Sequence, residues 1–143
     1  MMANAVMEAL NGDDPLIAVV GATDNPAKYG AIIYRTLKRK GYRVVAVNPN
    51  RSTVDGDPAY PTLAELPVVP DIIDIVIPPQ RALDVLEQAE RLGMRTVWVQ
   101  PGAESPAVVR HLQDNGFAYI VDACIMVAAR PRKTPSTQDH DTQ

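Results

Sequence analysis

Three times along the chain, a helix-like stretch ends at a glycine and a short, almost wholly apolar run follows at once. Gly41 precedes residues 42–47, Gly93 precedes residues 94–99, and Gly116 precedes residues 117–121. A glycine just past the last helical turn takes the left-handed conformation that closes a helix. The runs that follow are rich in valine and isoleucine and do not alternate apolar with polar, as expected of strands covered on both faces. Leu16–Val20 and residues 72–77 read the same way, so about five short strands are expected.

The segments between them carry helical spacing. Ile33 and Leu37 share one face between Tyr29 and Lys40, and Leu83, Leu86, Ala89 and Leu92 form a stripe after Pro79. Ser105-Pro106 is an N-cap with proline at the first helical position, and Thr62 with Glu65 matches a capping box. Strands alternating with helices of this length imply right-handed crossovers and a parallel sheet. The fold expected is α/β: a Rossmann-like, doubly wound parallel sheet in a single domain over residues 13–130. Residues 1–12 form an N-terminal segment with a short helix packed on the sheet. Residues 131–143, wholly polar after Pro131, read as a disordered tail.

Composition excludes several functions. Fourteen basic residues against 17 acidic give a net charge of −3, which argues against nucleic-acid binding. No apolar run approaches the ~20 residues of a membrane span, and residues 1–12 have no basic n-region of a signal peptide. One cysteine, Cys124, excludes an internal disulfide and, with two histidines, leaves few metal ligands. A reducing, cytoplasmic setting is expected.

In an open parallel sheet the ligand sits at the carboxyl ends of the strands. The loop after the first strand holds Gly21, Ala22, Thr23, Asn25, Pro26, Lys28, Tyr29 and Gly30. Gly21 permits a tight turn, Thr23 offers a hydroxyl, and the loop feeds a helix N-terminus beside a cationic Lys28, a phosphate-binding character. The spacing matches neither the dinucleotide fingerprint nor a Walker loop. The bland alternative is a loop that starts a helix and holds nothing.

The second strand ends in Asn48 and Pro49, with Arg51 beyond and no carboxylate for ribose hydroxyls. Arg51 suits a phosphorylated ribose, as in NADP or coenzyme A, or is a solvated loop charge. Pro78 and Pro79 follow the third strand, and Gln100, Pro101 and Gly102 follow the fourth. The prolines gathered on this rim either wall a preformed site or simply end strands and start helices. Asp122 and Cys124 follow the fifth strand. Cys124 either faces a ligand, where its thiol would meet another thiol, or is a small buried hydrophobe. No catalytic constellation emerges: His111 lies on a helix away from the rim, and Asp71 and Asp74 flank a strand.

Taken in order, residues 17–30, the Gly41-Tyr42-Arg43-Val44 and Val47-Asn48-Pro49 segments, residues 97–102 and residues 121–127 resemble the small stand-alone CoA-binding proteins. That family is similar to the N-terminal CoA-binding domain of the succinyl-CoA synthetase alpha chain. The resemblance implies coenzyme A or acyl-CoA at the strand ends, with the pyrophosphate on the loop from Gly21 to Lys28. It places the adenosine near Asn48, Pro49, Pro78 and Pro79. The pantetheine arm would pass Gln100-Pro101-Gly102 toward Asp122 and Cys124. Ala123 stands where the family often has arginine or asparagine. The synthetase's phosphohistidine lies in a second domain, so the expectation is binding without thioester synthesis. The alternatives are an NADP-binding domain of an oxidoreductase and a CoA-binding subunit that completes a multi-subunit acyl-CoA ligase. A homo-oligomer or a ligase-type protein partner is compatible with all of these.

Overall fold

All five apolar runs form strands, but the sheet they build has seven. The structure, a computed structural model, describes residues 2–132. In chain order the elements are α1 (Met2–Leu10), β1 (Leu16–Val20), α2 (Tyr29–Arg39), β2 (Arg43–Val47), β3 (Thr53–Val54), β4 (Asp57–Tyr60), β5 (Ile72–Ile75), α3 (Pro79–Arg91), β6 (Thr96–Val99), α4 (Pro106–Asp114), β7 (Ala118–Ile120) and α5 (Ile125–Ala128). The strand order is β3-β4-β2-β1-β5-β6-β7, parallel throughout except for the antiparallel β3–β4 pair at one edge.

The two strands beyond the expected five are β3 and β4, a hairpin whose two-residue turn, Asp55-Gly56, has φ of 52° and 80°. That turn suits a right-twisted ribbon. Pro58 is tolerated because β4 lies next to the edge, where its missing N–H is not needed by β2. The Thr62–Glu65 capping box gives only a single 3-10 turn, Leu63–Glu65, with no side-chain cap. Leu66 is extended because Pro67 follows it, and the helix stops there. The Ser105 cap forms as read, accepting from the Val108 N–H at 3.1 Å.

Two helical layers cover the sheet. Val6 and Leu10 of α1, Ile33 and Leu37 of α2 and Ile125 of α5 pack on one face; Leu86 and Ala89 of α3 with Val108 and Leu112 of α4 pack on the other. Residues 131 and 132 are not part of a tail. The Arg132 guanidinium donates to the Leu10, Gly12 and Asp13 carbonyls, and its backbone N–H donates to Lys40 O at 2.6 Å. The rest of the expected disordered tail, residues 133–143, lies outside the described residues.

Two close-packed details shape this frame. Gly21, at φ +102°, turns the chain off β1, and a Cβ there would meet Val76 O at 2.5 Å. A Cβ on Gly30, in the first turn of α2, would be driven into the carbonyl oxygen of Gly21. The N-terminus of α2 therefore sits directly on the end of β1, which only glycine allows.

The aspartates around β5 differ from expectation. Asp71 precedes the strand and accepts from the Leu16 N–H at 2.8 Å. Asp74 lies inside β5, in register with Val19 and Trp98, and faces the layer that holds α1. It is fully buried, neither carboxylate oxygen has a hydrogen-bond partner, and burial pushes its carboxyl well above the usual range.

Two outcomes follow. An acid whose folded-state pKa is raised supports the fold while protonated, and that contribution drains away as pH rises from the unfolded-chain value of ~3.9 through the folded one. Urea melts across this range should show the wild type losing stability relative to Asp74→Asn as pH rises; parallel curves would contradict the burial of an uncompensated carboxyl. Gly30→Ala should gain ~1 kcal/mol from helix propensity but lose about 3 kcal/mol or more to overpacking against a backbone oxygen, a net loss of roughly 2 kcal/mol. A variant as stable as the wild type by thermal denaturation would refute the contact.

Candidate functional site

Strand order reverses between β1 and β5: the chain leaves β1 toward β2 on one side and leaves β5 toward β6 on the other. The crevice at such a switch point is where open α/β sheets hold ligands. Two chambers open there. The first, about 530 Å³, lies between the ends of β1, β2 and β5, walled by Arg81, Asp84, Val85 and Gln88 of α3. The second, about 500 Å³, lies toward β6 and is lined by the start of α2, Pro101 to Ala103 and Cys124. They share Gly21, Lys28, Val76, Ile77 and Pro78, so they form one groove along the carboxyl edge of the sheet.

The loop after β1 is rigid by its own bonds. Thr23 Oγ1 accepts from the Asn25 N–H at 3.2 Å, Asn25 Oδ1 from the Ala27 N–H at 3.0 Å, and Asn25 O from the Lys28 N–H at 3.0 Å. Lys28 begins α2 without a side-chain cap, the first turn has no acidic residue, and the cations Lys38 and Arg39 lie in the last turn. The positive end of the helix dipole is thus left open toward the groove. Asn48 ties the second loop to the first: Nδ2 donates to Ala22 O at 2.8 Å, while Oδ1 accepts from the Asn50 N–H at 2.8 Å.

An ion-pair network holds the outer wall. Asp24 lies 3.6 Å from Arg51 and 3.5 Å from Arg35, and it accepts from the Asp55 N–H at 2.8 Å. Lys38 bridges Asp55 at 3.2 Å and Asp57 at 2.8 Å, and the Tyr34 hydroxyl donates to Asp57 at 2.7 Å. Partial burial pushes the Asp57 carboxyl up, but the bonds from Lys38 and Tyr34 outweigh this and hold it below the usual range. Burial and the Asp57 bond drive the Tyr34 hydroxyl far above its ordinary value. Half-exposed pairs of this kind contribute roughly 0–1 kcal/mol each, so their effect here is positional. They fix the β3–β4 hairpin to α2 and leave Arg51 on the wall of the first chamber. With Lys28 and Arg81, that chamber sets three cations against one carboxylate, Asp84.

Most residues singled out in the sequence come together on this groove. Gly21, Lys28 and Pro78 line both chambers. Thr23, Asn25, Asn48, Pro49 and Arg51 line the first. Tyr29, Gly30, Gln100, Pro101, Gly102 and Cys124 line the second. Four are not on the lining. Ala22 is fully buried and presents only its carbonyl, to Asn48; Pro26 is exposed on the loop; Pro79 starts α3; and Asp122 turns the chain at φ 65°.

Sequence reasoning missed other parts of the lining. The α3 wall has a signal that could have found it, an i, i+3, i+4, i+7 face flanking the buried stripe, whereas Pro61 to Leu63 reach the groove only because β4 pairs with β2. Gln100 is almost fully buried. Its Oε1 accepts from the Ile125 N–H at 3.0 Å and its Nε2 donates to Cys124 Sγ at 3.4 Å, while Trp98 Nε1 donates to Ala123 O at 2.8 Å. These bonds seat the segment after β7 against β6. His111 lies in α4, 3.2 Å from Glu90 and away from the groove.

The chain is similar to the uncharacterized protein YneT of Bacillus subtilis (strain 168), 28% identical over 112 residues, covering 78% of this chain and 83% of that one. It is 33% identical over 82 residues to the alpha subunit of the ADP-forming acetate–CoA ligase II of Pyrococcus furiosus. That match covers 57% of this chain but only 18% of the subunit. Among solved structures, a conserved hypothetical protein from Pyrococcus furiosus superimposes with a TM-score of 0.77 at 44% identity, over 79% of this chain and 97% of that one. The model of the CoA binding domain family matches residues 16–130, the span from β1 to just beyond α5 that contains the whole groove. The chain belongs to the CoA-binding domain family and is homologous to the corresponding part of the ADP-forming acetate–CoA ligases.

Proposed function

We propose that this protein binds coenzyme A or an acyl-CoA in the groove and performs no chemistry on it. The observation that carries this reading is the joining of a cationic chamber to an apolar one across Gly21, Lys28 and Pro78. A ligand with a phosphorylated nucleotide at one end and a thin, uncharged arm at the other needs both halves. Lys28 and the open end of α2 suit the pyrophosphate, and Arg51 suits the phosphate on the ribose. Pro49 and Pro78 offer flat, preformed walls to the base. The arm would run past Gln100 and Pro101 to Cys124. Membership of the CoA-binding domain family supports the same ligand. NADP would satisfy the first chamber, but its polar nicotinamide riboside has no counterpart in the lining of the second.

A second reading, in which the chain is the CoA-binding part of a multi-subunit acyl-CoA ligase, is favoured by its similarity to the acetate–CoA ligase alpha subunit. It predicts a stable protein partner on purification from the native cell. The binding-module reading predicts none.

Calorimetric titration with CoA, NAD and NADP tests the ligand. CoA should bind and the two dinucleotides should not; a clear NADP signal with no CoA signal would overturn the proposal. Lys28→Ala should weaken CoA binding by about 1 kcal/mol, roughly fivefold, as expected for one charge-assisted phosphate contact. Unchanged affinity at low salt would show that Lys28 does not meet the phosphates.

A further inference from the structure

The second chamber is more than a channel for a thiol arm. At about 500 Å³ it falls within the ~300–1,000 Å³ range of complete small-molecule sites. Its walls are mostly apolar: Tyr29, Ile33, Ile77, Pro101 and Ala103 supply much of them. The one charged lining residue, Lys28, sits at the junction with the first chamber. The one side-chain amide, Gln100, has both ends engaged, with Ile125 N–H and Cys124 Sγ. Beyond Lys28 the lining offers an anion only neutral side-chain donors, the Tyr29 hydroxyl, the Cys124 thiol and the second N–H of Gln100, so a carboxylate there would be desolvated with little compensation.

We infer that this chamber holds a short, uncharged acyl group carried as a thioester on the coenzyme's thiol, and that it excludes acyl groups ending in a carboxylate. The inference rests on the CoA-binding reading and names which form of the coenzyme the groove favours. Discrimination follows from burial alone: each methylene moved from water into the chamber tightens binding by up to about fourfold. A terminal carboxylate forfeits that gain.

Titration of the wild-type protein with CoA, acetyl-CoA, butyryl-CoA, hexanoyl-CoA and succinyl-CoA separates the possibilities. Affinity should rise from acetyl-CoA to hexanoyl-CoA. Succinyl-CoA should bind about tenfold or more weakly than butyryl-CoA, which has the same number of acyl carbons. Succinyl-CoA binding as tightly as butyryl-CoA, or free CoA binding more tightly than every thioester, would overturn the acyl assignment while leaving CoA binding intact. No binding of any of the five, free CoA included, would overturn the underlying reading and the acyl assignment with it.

Discussion

The groove exists because two backbones touch. α2 can begin on the end of β1 only where Gly30 meets the carbonyl of Gly21 with no Cβ between them, and Gly21 itself turns the chain in a conformation other residues avoid. This contact sets the distance between the open end of α2 and the strand ends. It also brings Lys28 to the line where the two chambers join. The dinucleotide fingerprint uses closely spaced glycines for a tight turn, an approach to phosphate and a packed helix. Here Gly21 supplies the turn and Gly30 the packing, nine residues apart. A longer loop intervenes, braced by Thr23 and Asn25.

Around that contact the fold divides its labour. Side-chain bonds hold the loops: Asn48 joins the loop after β2 to the loop after β1, and Gln100 joins the end of β6 to the start of α5. Ion pairs among Asp24, Arg35, Arg51, Lys38, Asp55 and Asp57 steady the outer hairpin. Asp74 belongs to neither group. A buried carboxyl with no partner costs stability, and it sits one pleat behind the groove floor.

Much of this was legible in the sequence, because buried parallel strands and their helices leave a strong apolar signature. The runs at residues 16–20, 42–47 and 94–99 and the glycines that precede two of them gave the central strands to within two residues. The groove was legible at one remove: once the strands are placed, their carboxyl ends are known, and Lys28, Asn48, Arg51, Pro78, Pro101 and Cys124 follow. The β3–β4 hairpin leaves little trace beyond Asp55-Gly56, a strong turn signal. The strands it joins are only two and four residues long, and one contains Pro58. Asp74 stands inside a run that reads as a strand, but nothing local marks it as buried, since an aspartate rarely lies buried without a partner. Pro61 and Leu63 reach the site by strand pairing far along the chain, which no local pattern encodes.

The central claim is that a single ligand spans both chambers. The most direct test is a crystal of this protein grown with millimolar coenzyme A. The account predicts continuous density along the strand ends, with the nucleotide beside Arg51 and Pro78, the pyrophosphate at the start of α2, and the thiol end near Cys124. A groove that remains empty at that concentration, or a nucleotide bound on another face of the sheet, would contradict it.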